Sequence, residues 1–349
     1  MKIAISLKVC LRYFLWVNVH ICFLLIISTF SIFADSTGVR AAFSRLGIAG
    51  AHNLAMGGAV EAVTDDVFSV FWNPAGLTQL RSRKKSIRED VRTKLQQNQI
   101  DKITERDLKR LSDDTPKFFF QLGAAASKLQ EDREAAFVAG AFNLGNTVLG
   151  MGVLGIYSDK IATYSNEGVF TGDTSYQAGV SYLSVAYPTE YVSIGVTAKT
   201  FYENIDRTNF AGGAFDAGIQ TDFIPLVQIG VVVQDIGVGL MPIEKDDEVK
   251  NEYEFGKPVF RFNIALVSRT ANMVVSAGII KKFEDKSSDY KLGIRYYLLS
   301  NFAFMLGVNE SLFTTGTMIN FFDADFSYAV SVDNIDMGYN HTVSFSYLF

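Results

Sequence analysis

The stretch "YVSIGVTAKTFYE" (residues 191–203) alternates apolar side chains with small or polar ones. One face carries Val192, Ile194, Val196 and Ala198, and the other carries Ser193, Gly195, Thr197, Lys199 and Glu203. Successive side chains of a β-strand point to opposite faces, so this period of two predicts a strand with one apolar and one polar face.

The same pattern recurs over the rest of the chain, most clearly in 259–266, 290–298 and 341–349. Segments of about ten residues with alternating hydrophobicity are typical of tilted transmembrane strands. Turn residues between the segments predict strands near 116–127, 134–143, 146–157, 174–187, 191–204, 212–222, 226–235, 258–268, 272–283, 288–299, 301–309, 313–321, 325–332 and 340–349.

Short connections alternate with longer ones along these strands, as in an outer-membrane barrel with short periplasmic turns and longer outer loops. The sequence therefore predicts an all-β fold: a transmembrane antiparallel β-barrel of about 14 strands over 116–349. We expect the last strand, with Tyr347 and Phe349, to be recognised by the barrel-assembly machinery. A soluble β-sandwich or barrel is the alternative, but a small interior could hardly hold so many large apolar residues.

The first 34 residues have the layout of a secretory signal peptide. Lys2, Lys8 and Arg12 precede an apolar run, and Ala34 supplies a small residue at the expected cleavage site. An uncleaved N-terminal anchor is the alternative. Removing 1–34 also removes both cysteines, Cys10 and Cys22.

The composition of the predicted mature chain argues against several functions. Without the leader, 29 of the 32 basic residues remain against 37 acidic residues, which gives a net charge of −8. A basic surface for binding nucleic acid is therefore not expected. Only His52 and His341 remain as histidines, without an evident nucleophile beside them. We therefore expect no enzymatic activity, no metal site and no cofactor.

Two segments precede the predicted barrel. Residues 35–80 are rich in glycine and turn residues and predict a plug, or hatch, inside the barrel; a disordered periplasmic tail is the alternative. Residues 81–115 have a net charge of +4 and no glycine or proline, which predicts one or two amphipathic helices. This insertion could contact a periplasmic or surface partner or anionic lipid of the outer membrane, or it could be a solvated helical segment.

The stretch "RLGIAGAHNLAMGGAVEAVTDDVFSVFWNPAGL" (residues 45–77) resembles the start of the FadL-like family of long-chain fatty-acid transporters, in particular its PorV/PorQ-type and spirochaete-type members. The shared features are Gly57-Gly58-Ala59, Asp65-Asp66 and Trp72-Asn73-Pro74-Ala75-Gly76. The resemblance implies a fourteen-stranded outer-membrane barrel whose hatch contains the Asn-Pro-Ala motif. Asp65, Asp66 and residues 72–76 are then the candidate hatch or gate residues.

The resemblance also implies passive uptake of long-chain fatty acids or similar hydrophobic molecules, with lateral exit through the wall at a kink of the third strand. Gly150, Gly152 and Gly155 are the glycines of that strand, and glycine within a strand marks bends or bulges. A non-transport barrel of the PorV type, acting in protein secretion or attachment, is the alternative function.

A fatty-acid site would need an apolar pocket and a cation for the carboxylate. The strand registers place four cations on the inward face, and these are the candidates for the carboxylate contact: Lys199, Arg261, Lys291 and Arg295. Alternatively they pair with acids of the lumen such as Glu203, Asp216 and Asp222.

Overall fold

The fold is a barrel of antiparallel strands, seen in a computed structural model of the chain. The structure describes residues 47–80, 119–130, 133–165, 167–189, 191–205, 208–224, 226–237, 241–242, 258–268, 271–282, 288–309, 312–333 and 338–349. Its strands are β1 (Phe120–Lys128), β2 (Arg133–Leu144), β3 (Thr147–Tyr164), β4 (Phe170–Pro188), β5 (Val192–Ile205), β6 (Thr208–Ile224), β7 (Val227–Ile236), β8 (Met241–Pro242), β9 (Val259–Ser268), β10 (Met273–Lys282), β11 (Asp289–Leu299), β12 (Phe302–Asn309), β13 (Leu312–Phe321), β14 (Ala324–Asp333) and β15 (Tyr339–Leu348).

Each long strand pairs with the next long strand along the chain, and β1 pairs with β15 to close the ring. The two-residue strand β8 lies outside this ring and pairs only with β6 among the described strands, so that β7 is followed in the wall by β9. The described strands thus form a closed fourteen-stranded barrel, which confirms the predicted fold class. Closure leaves no free sheet edge in the ring, as a sheet surrounded by lipid requires.

The two faces of the wall have opposite character. Large apolar side chains point outward, including Val153, Leu183 and Leu292, which are 56%, 58% and 55% exposed. Inward positions carry small or polar residues such as Ser184 and Thr197, which are buried. An apolar exterior around a polar interior is the arrangement of a barrel whose outer face contacts lipid.

Aromatic side chains stand near the short turns, as the sequence predicts. Tyr187 and Tyr191 flank the β4–β5 turn, and Phe321 and Phe322 lie at the β13–β14 turn; all four are exposed. Such rings at one rim are typical of an interfacial girdle.

The predicted long connection 158–173 was wrong for most of its length. In the structure β3 continues to Tyr164 and β4 begins at Phe170, with Ile161 opposite Thr174 and Thr163 opposite Gly172. The polar residues of this stretch predict a loop, but they belong to a hairpin. Its ladder of hydrogen bonds continues beyond a register shift after Ser158. The other described strands lie within a few residues of their predicted bounds.

The described residues before the barrel include three short helices: α1 (Ala51–Ala55), α2 (Ser69–Trp72) and the 3₁₀-helix η1 (Pro74–Thr78). Among the described residues, no helix has the length and apolar character needed to cross a membrane. The predicted signal peptide 1–34, the start of the hatch and the predicted helical insertion 81–115 lie outside the described residues.

Candidate functional site

The described hatch segment, residues 47–80, packs against the inward face of the wall. Helix α1 contacts β13 and β14, and η1 contacts β4 and β5 on another side of the ring. Almost every residue of the segment is buried, including the polar residues Glu61, Asp66 and Asn73. Residues 47–80 therefore pack inside the barrel, and their role as a hatch stays a prediction.

The Trp-Asn-Pro corner joins α2 to η1. Asn73 is extended at the junction, with φ −156° and ψ 106°, and Pro74 begins η1, where its fixed φ is favourable and its missing N–H is not needed. The Asn73 side chain accepts a hydrogen bond from the Ala75 N–H at 3.1 Å. It also donates to the carbonyls of Glu61 at 2.7 Å and Ile219 at 3.2 Å, so the corner is tied both to the hatch and to β6.

Trp72 anchors the corner within the hatch. Its indole N–H donates to the Ala49 carbonyl at 2.6 Å, and its ring meets Phe71 edge-on at 5.1 Å. Gly58 is needed beside it, because a Cβ there would lie 3.0 Å from the indole ring. Gly76 allows a similar approach, because a Cβ would lie 2.5 Å from the Thr64 carbonyl oxygen. The glycines of the quoted motif thus serve close packing.

Glycines on the wall also make room for the hatch. In the described part of the chain, eight inward glycines have hatch atoms so close that an added Cβ would collide with them: Gly123, Gly150, Gly195, Gly218, Gly230, Gly293, Gly307 and Gly316. At several of them the obstacle is hatch backbone, as at Gly230 beside the Glu61 carbonyl and Gly293 beside the Met56 carbonyl. We call these eight residues the glycine belt. Because these positions have no side chain, the backbone of the hatch can lie directly against the backbone of the wall.

Wall side chains bind the hatch backbone between these glycines. Gln121 accepts from the Val67 N–H at 2.7 Å, Gln220 donates to the Ala62 carbonyl at 2.6 Å, and Gln234 donates to the Phe71 carbonyl at 2.8 Å. Ser344 accepts from the Ala51 N–H at 2.8 Å. These hydrogen bonds satisfy backbone groups of a segment that has little regular structure of its own.

An ionic cluster joins the hatch to strands β9 and β11 of the wall. Glu61, fully buried, lies 2.5 Å from Lys291 Nζ and 3.5 Å from Arg261 Nη1. Lys291 also donates to the Gly58 carbonyl at 2.7 Å. The Arg261 guanidinium lies 6.0 Å from the centre of the Trp72 ring. We call Glu61, Lys291 and Arg261 the Glu61 cluster.

Two acids of the hatch, Asp65 and Asp66, have further partners. His52 and Asp66 of the hatch form a pair at 3.1 Å, and both are buried. Arg295 of β11, buried, interacts electrostatically with Asp65 and Asp66. The acids of the hatch thus face the bases of the wall, and a buried charge without such a partner would be strongly unfavourable.

Lys199 has partners within the wall itself. Its Nζ lies 2.8 Å from Asp216 and 2.9 Å from Asp235, and 5.6 Å from the Tyr182 ring centre. Pairing with Asp216 confirms the alternative that lumen cations meet lumen acids. Glu203 instead accepts from the Tyr176 hydroxyl at 2.9 Å, and the side chain of Asp222 lies outside the described atoms.

The four predicted carboxylate contacts are therefore all inward and buried, as their registers predict. Each already interacts with a carboxylate of this chain: Lys291 and Arg261 with Glu61, Lys199 with Asp216 and Asp235, and Arg295 with Asp65 and Asp66. A contact with a bound fatty acid stays a prediction, and it would compete with these pairs.

The predicted wall kink shows an uninterrupted ladder. From Val148 to Ser158, β3 is paired residue by residue with β2 and with β4, so the wall has no gap at Gly150, Gly152 or Gly155. Gly150 belongs to the glycine belt, and a Cβ on it would lie 2.6 Å from the Val70 side chain. A Cβ on Gly155 would meet nothing within 4 Å. The register shift of β3 lies beyond these glycines.

The last strand closes the barrel with its terminal aromatic residues on the outside. The Phe349 N–H donates to the Phe120 carbonyl at 2.8 Å, and its ring lies 4.6 Å from that of Tyr347. Recognition of this end by assembly machinery stays a prediction. Across the described residues, no group of three or more His, Cys, Asp or Glu side chains is arranged to hold a metal ion.

Glu61 and the three glutamines that bind the hatch were not identified from the sequence. Inward polar positions at a period of two identify Gln121, Gln220 and Gln234 as lumen residues, and that signal was available. No sequence signal identifies their partners, because the hatch has no periodic pattern that fixes its path.

Comparisons with known proteins find solved structures with a similar fold. No protein-family model and no curated protein sequence matches this chain. The toluene transporter TodX of Pseudomonas putida is similar in structure, with a TM-score of 0.55 and 12% identity over 87% of this chain and 97% of its own. A deltaS2 mutant of TodX, described as a monoaromatic hydrocarbon channel, aligns with a TM-score of 0.54, 11% identity and 87% and 98% coverage. At these identities the likeness concerns the fold alone, and it agrees with the predicted barrel.

Proposed function

We propose that this chain is an outer-membrane channel for the passive uptake of hydrophobic molecules, with the hatch closing the lumen. The observation that carries the proposal is the hatch itself: a buried segment fastened inside a barrel with a lipid-facing exterior. The fold likeness to TodX, a toluene transporter, supports the same class of cargo. Long-chain fatty acids are the specific substrates that the family resemblance implies.

Passage requires rearrangement of the hatch. The glycine belt brings hatch backbone against wall backbone, and the Glu61 cluster fixes the segment by charge, so a molecule cannot pass unless some of these contacts open. Lateral exit at the third strand further requires the ladders of β3 to part at Gly150–Gly155. The Asn73–Ala75 corner is the proposed gate, because its side chain links the hatch to β6.

Uptake by the intact barrel and by a hatch deletion tests the proposal. Proteoliposomes containing the purified protein should take up a fluorescent fatty acid faster than empty liposomes, and removal of residues 35–80 should change that rate. Heat-modifiable gel migration establishes that the deleted form still folds as a barrel. Equal uptake in protein-containing and empty liposomes would refute transport.

A carboxylate contact has its own test. If Lys291 binds the carboxylate of a fatty acid, Lys291→Met should weaken binding of the acid and leave binding of its methyl ester unchanged. Lys282→Met, which removes an exposed pair with Asp289, is the matched control. Equal binding of acid and ester by the unaltered protein would show that none of the four cations binds the carboxylate.

The closeness of the hatch–wall contact also favours a second function. A barrel whose lumen stays filled would serve as a PorV-type secretion or attachment component rather than as a channel. Absence of uptake, together with retention of a partner that depends on 81–115, would support this function.

A further inference from the structure

A cleft opens on the outer face of the wall, away from the hatch. It encloses about 790 Å³ and runs across β1 to β4. Its floor is formed by Ala126, Ala136, Gly155 and Gly179, which are successive partners in the ladders of these four strands. Neighbouring strands are about 4.8 Å apart, so the floor is about 14 Å wide. Tyr202 bounds it at one end, where it pairs with Gly179.

The barrel fold does not require glycine in this floor. A Cβ on Gly155 would meet nothing within 4 Å, and one on Gly179 would meet only the Leu154 carbonyl, at 3.5 Å. The glycine belt differs, because added Cβ atoms there collide with the hatch. One row further along β2 and β3, the outward positions carry the exposed residues Val138 and Val153. The small residues of the floor therefore make room on the outer face of the wall, whereas the glycine belt makes room for the hatch on the inner face.

A second cleft extends the first one along β1. It encloses about 610 Å³ and shares Ala126, Ala136 and Val343 with the first. It continues past Ala124 to the apolar side chains of Phe326 and Phe345. From Lys128 to Ala124 the strand covers about 14 Å at 3.4 Å per residue. The combined cleft is an apolar channel open to the lipid side, with the size and direction for acyl chains.

Polar side chains stand at one end of the combined cleft. Lys128 is opposite Glu134 in one ladder and opposite His341 in the other, and all three are exposed. His341 is held by the Tyr328 hydroxyl at 2.8 Å from its Nδ1. Gln177 also lines this end. This end lies on the side of the connection between β1 and β2.

We propose that the cleft binds a phospholipid whose head group carries both a phosphate and a primary ammonium. Lys128 would bind the phosphate and Glu134 the ammonium, since each forms a charge-assisted hydrogen bond with that group. The acyl chains would lie over Ala126, Ala136 and the glycines of the floor. The cation and anion side by side favour this head group over a purely anionic one, and the lipid-facing position favours a lipid over a protein partner.

Native mass spectrometry of the purified protein with three lipids of matched chains tests the proposal. The unaltered protein should retain phosphatidylethanolamine about tenfold better than phosphatidylcholine or phosphatidylglycerol, the size of one charge-assisted hydrogen bond. Phosphatidylcholine is the sharpest comparison, because its quaternary ammonium cannot donate a hydrogen bond to Glu134.

Variants separate the floor from the head-group contacts. Gly155→Leu/Gly179→Leu fills the floor and should abolish retention of phosphatidylethanolamine. Ala198→Leu adds bulk at an exposed position of β5 outside the cleft, and this variant should still retain the lipid. Glu134→Gln should remove the preference among the three lipids, because it removes the carboxylate that binds the ammonium. It also keeps the test valid if the double variant fails to fold.

Three results would overturn the proposal. The first is equal retention of the three lipids by the unaltered protein, and the second is unchanged retention by the folded double variant. The third is a dimer of the unaltered protein that the double variant converts to monomer, which would assign the cleft to a second copy of the chain. Heat-modifiable migration shows which variants fold.

Discussion

Glu61→Gln is the substitution that most directly tests how the hatch is held. Glu61 is fully buried and is the hatch carboxylate that Lys291 and Arg261 both contact, at 2.5 Å and 3.5 Å. Glutamine has nearly the same shape, so the packing of the hatch is kept while the charge is lost. Two buried cations then remain without the acid that compensates them.

The magnitude follows from that loss. Removing one partner of a buried ion pair typically costs about 3–5 kcal/mol, because an uncompensated charge stays in a poorly solvated place. At about 1.4 kcal/mol for each factor of ten, the open form of the hatch should become about 10²- to 4 × 10³-fold more populated. The barrel ladders do not depend on Glu61 and should keep their stability.

Hydrogen exchange measured by mass spectrometry reads both parts of the molecule at once. In Glu61→Gln, amides of the hatch segment should exchange about 100-fold faster, whereas those of β14 should be unchanged. Lys282→Gln is the control: it breaks the partly exposed Lys282–Asp289 pair, worth at most about 1 kcal/mol, away from the hatch. Adding Lys291→Met to Glu61→Gln should restore part of the protection. If hatch exchange changes less than threefold in Glu61→Gln, the ion pairs do not hold the hatch.

Three further predictions concern the corner and the glycine belt. Gly218→Ala places a Cβ against the Asn73 side chain and should increase hatch exchange, whereas Gly155→Ala should not; equal effects would refute the fit. Asn73→Ala removes three hydrogen bonds and should destabilise the hatch by about 1–3 kcal/mol, measured by urea-dependent exchange. Trp72, buried, should emit at short wavelength and shift to the red in Glu61→Gln. An unchanged spectrum there, with fast hatch exchange, would show that Trp72 moves with the wall.

The strands were predictable because their signal is local. Alternation such as that of Val192 to Glu203 depends only on which face of the wall a residue occupies, and the structure follows it. The hairpin end between Tyr157 and Thr174 was missed because it stands where polar residues occur on both faces. There the outward and inward environments no longer differ enough to leave a pattern.

The site was predictable only in part, because its contacts link distant residues. The inward positions of Lys199 and Lys291 followed from their strands, but their partners did not. Glu61 meets Lys291 across 230 residues of sequence, and no periodicity encodes that pairing. The glycine belt was hidden for the same reason: Gly307 and Gly230 look like ordinary strand glycines until the hatch backbone lies against them.

The fastening of the hatch is uneven around the ring, and this bears on where an apolar molecule could pass. Toward β7, β9 and β11 the hatch is held by the Glu61 cluster and by backbone contacts at Gly230 and Gly293. Toward β1, β2 and β3 apolar contacts prevail, as Val70 against Gly150 and Phe68 against Phe137, beside the hydrogen bond from the Val67 N–H to Gln121. Opening the first side would expose buried charges, whereas opening the second needs mainly rotation of apolar side chains, which an apolar molecule can replace. Under the proposed function, a hydrophobic cargo would therefore pass between the hatch and β1–β3.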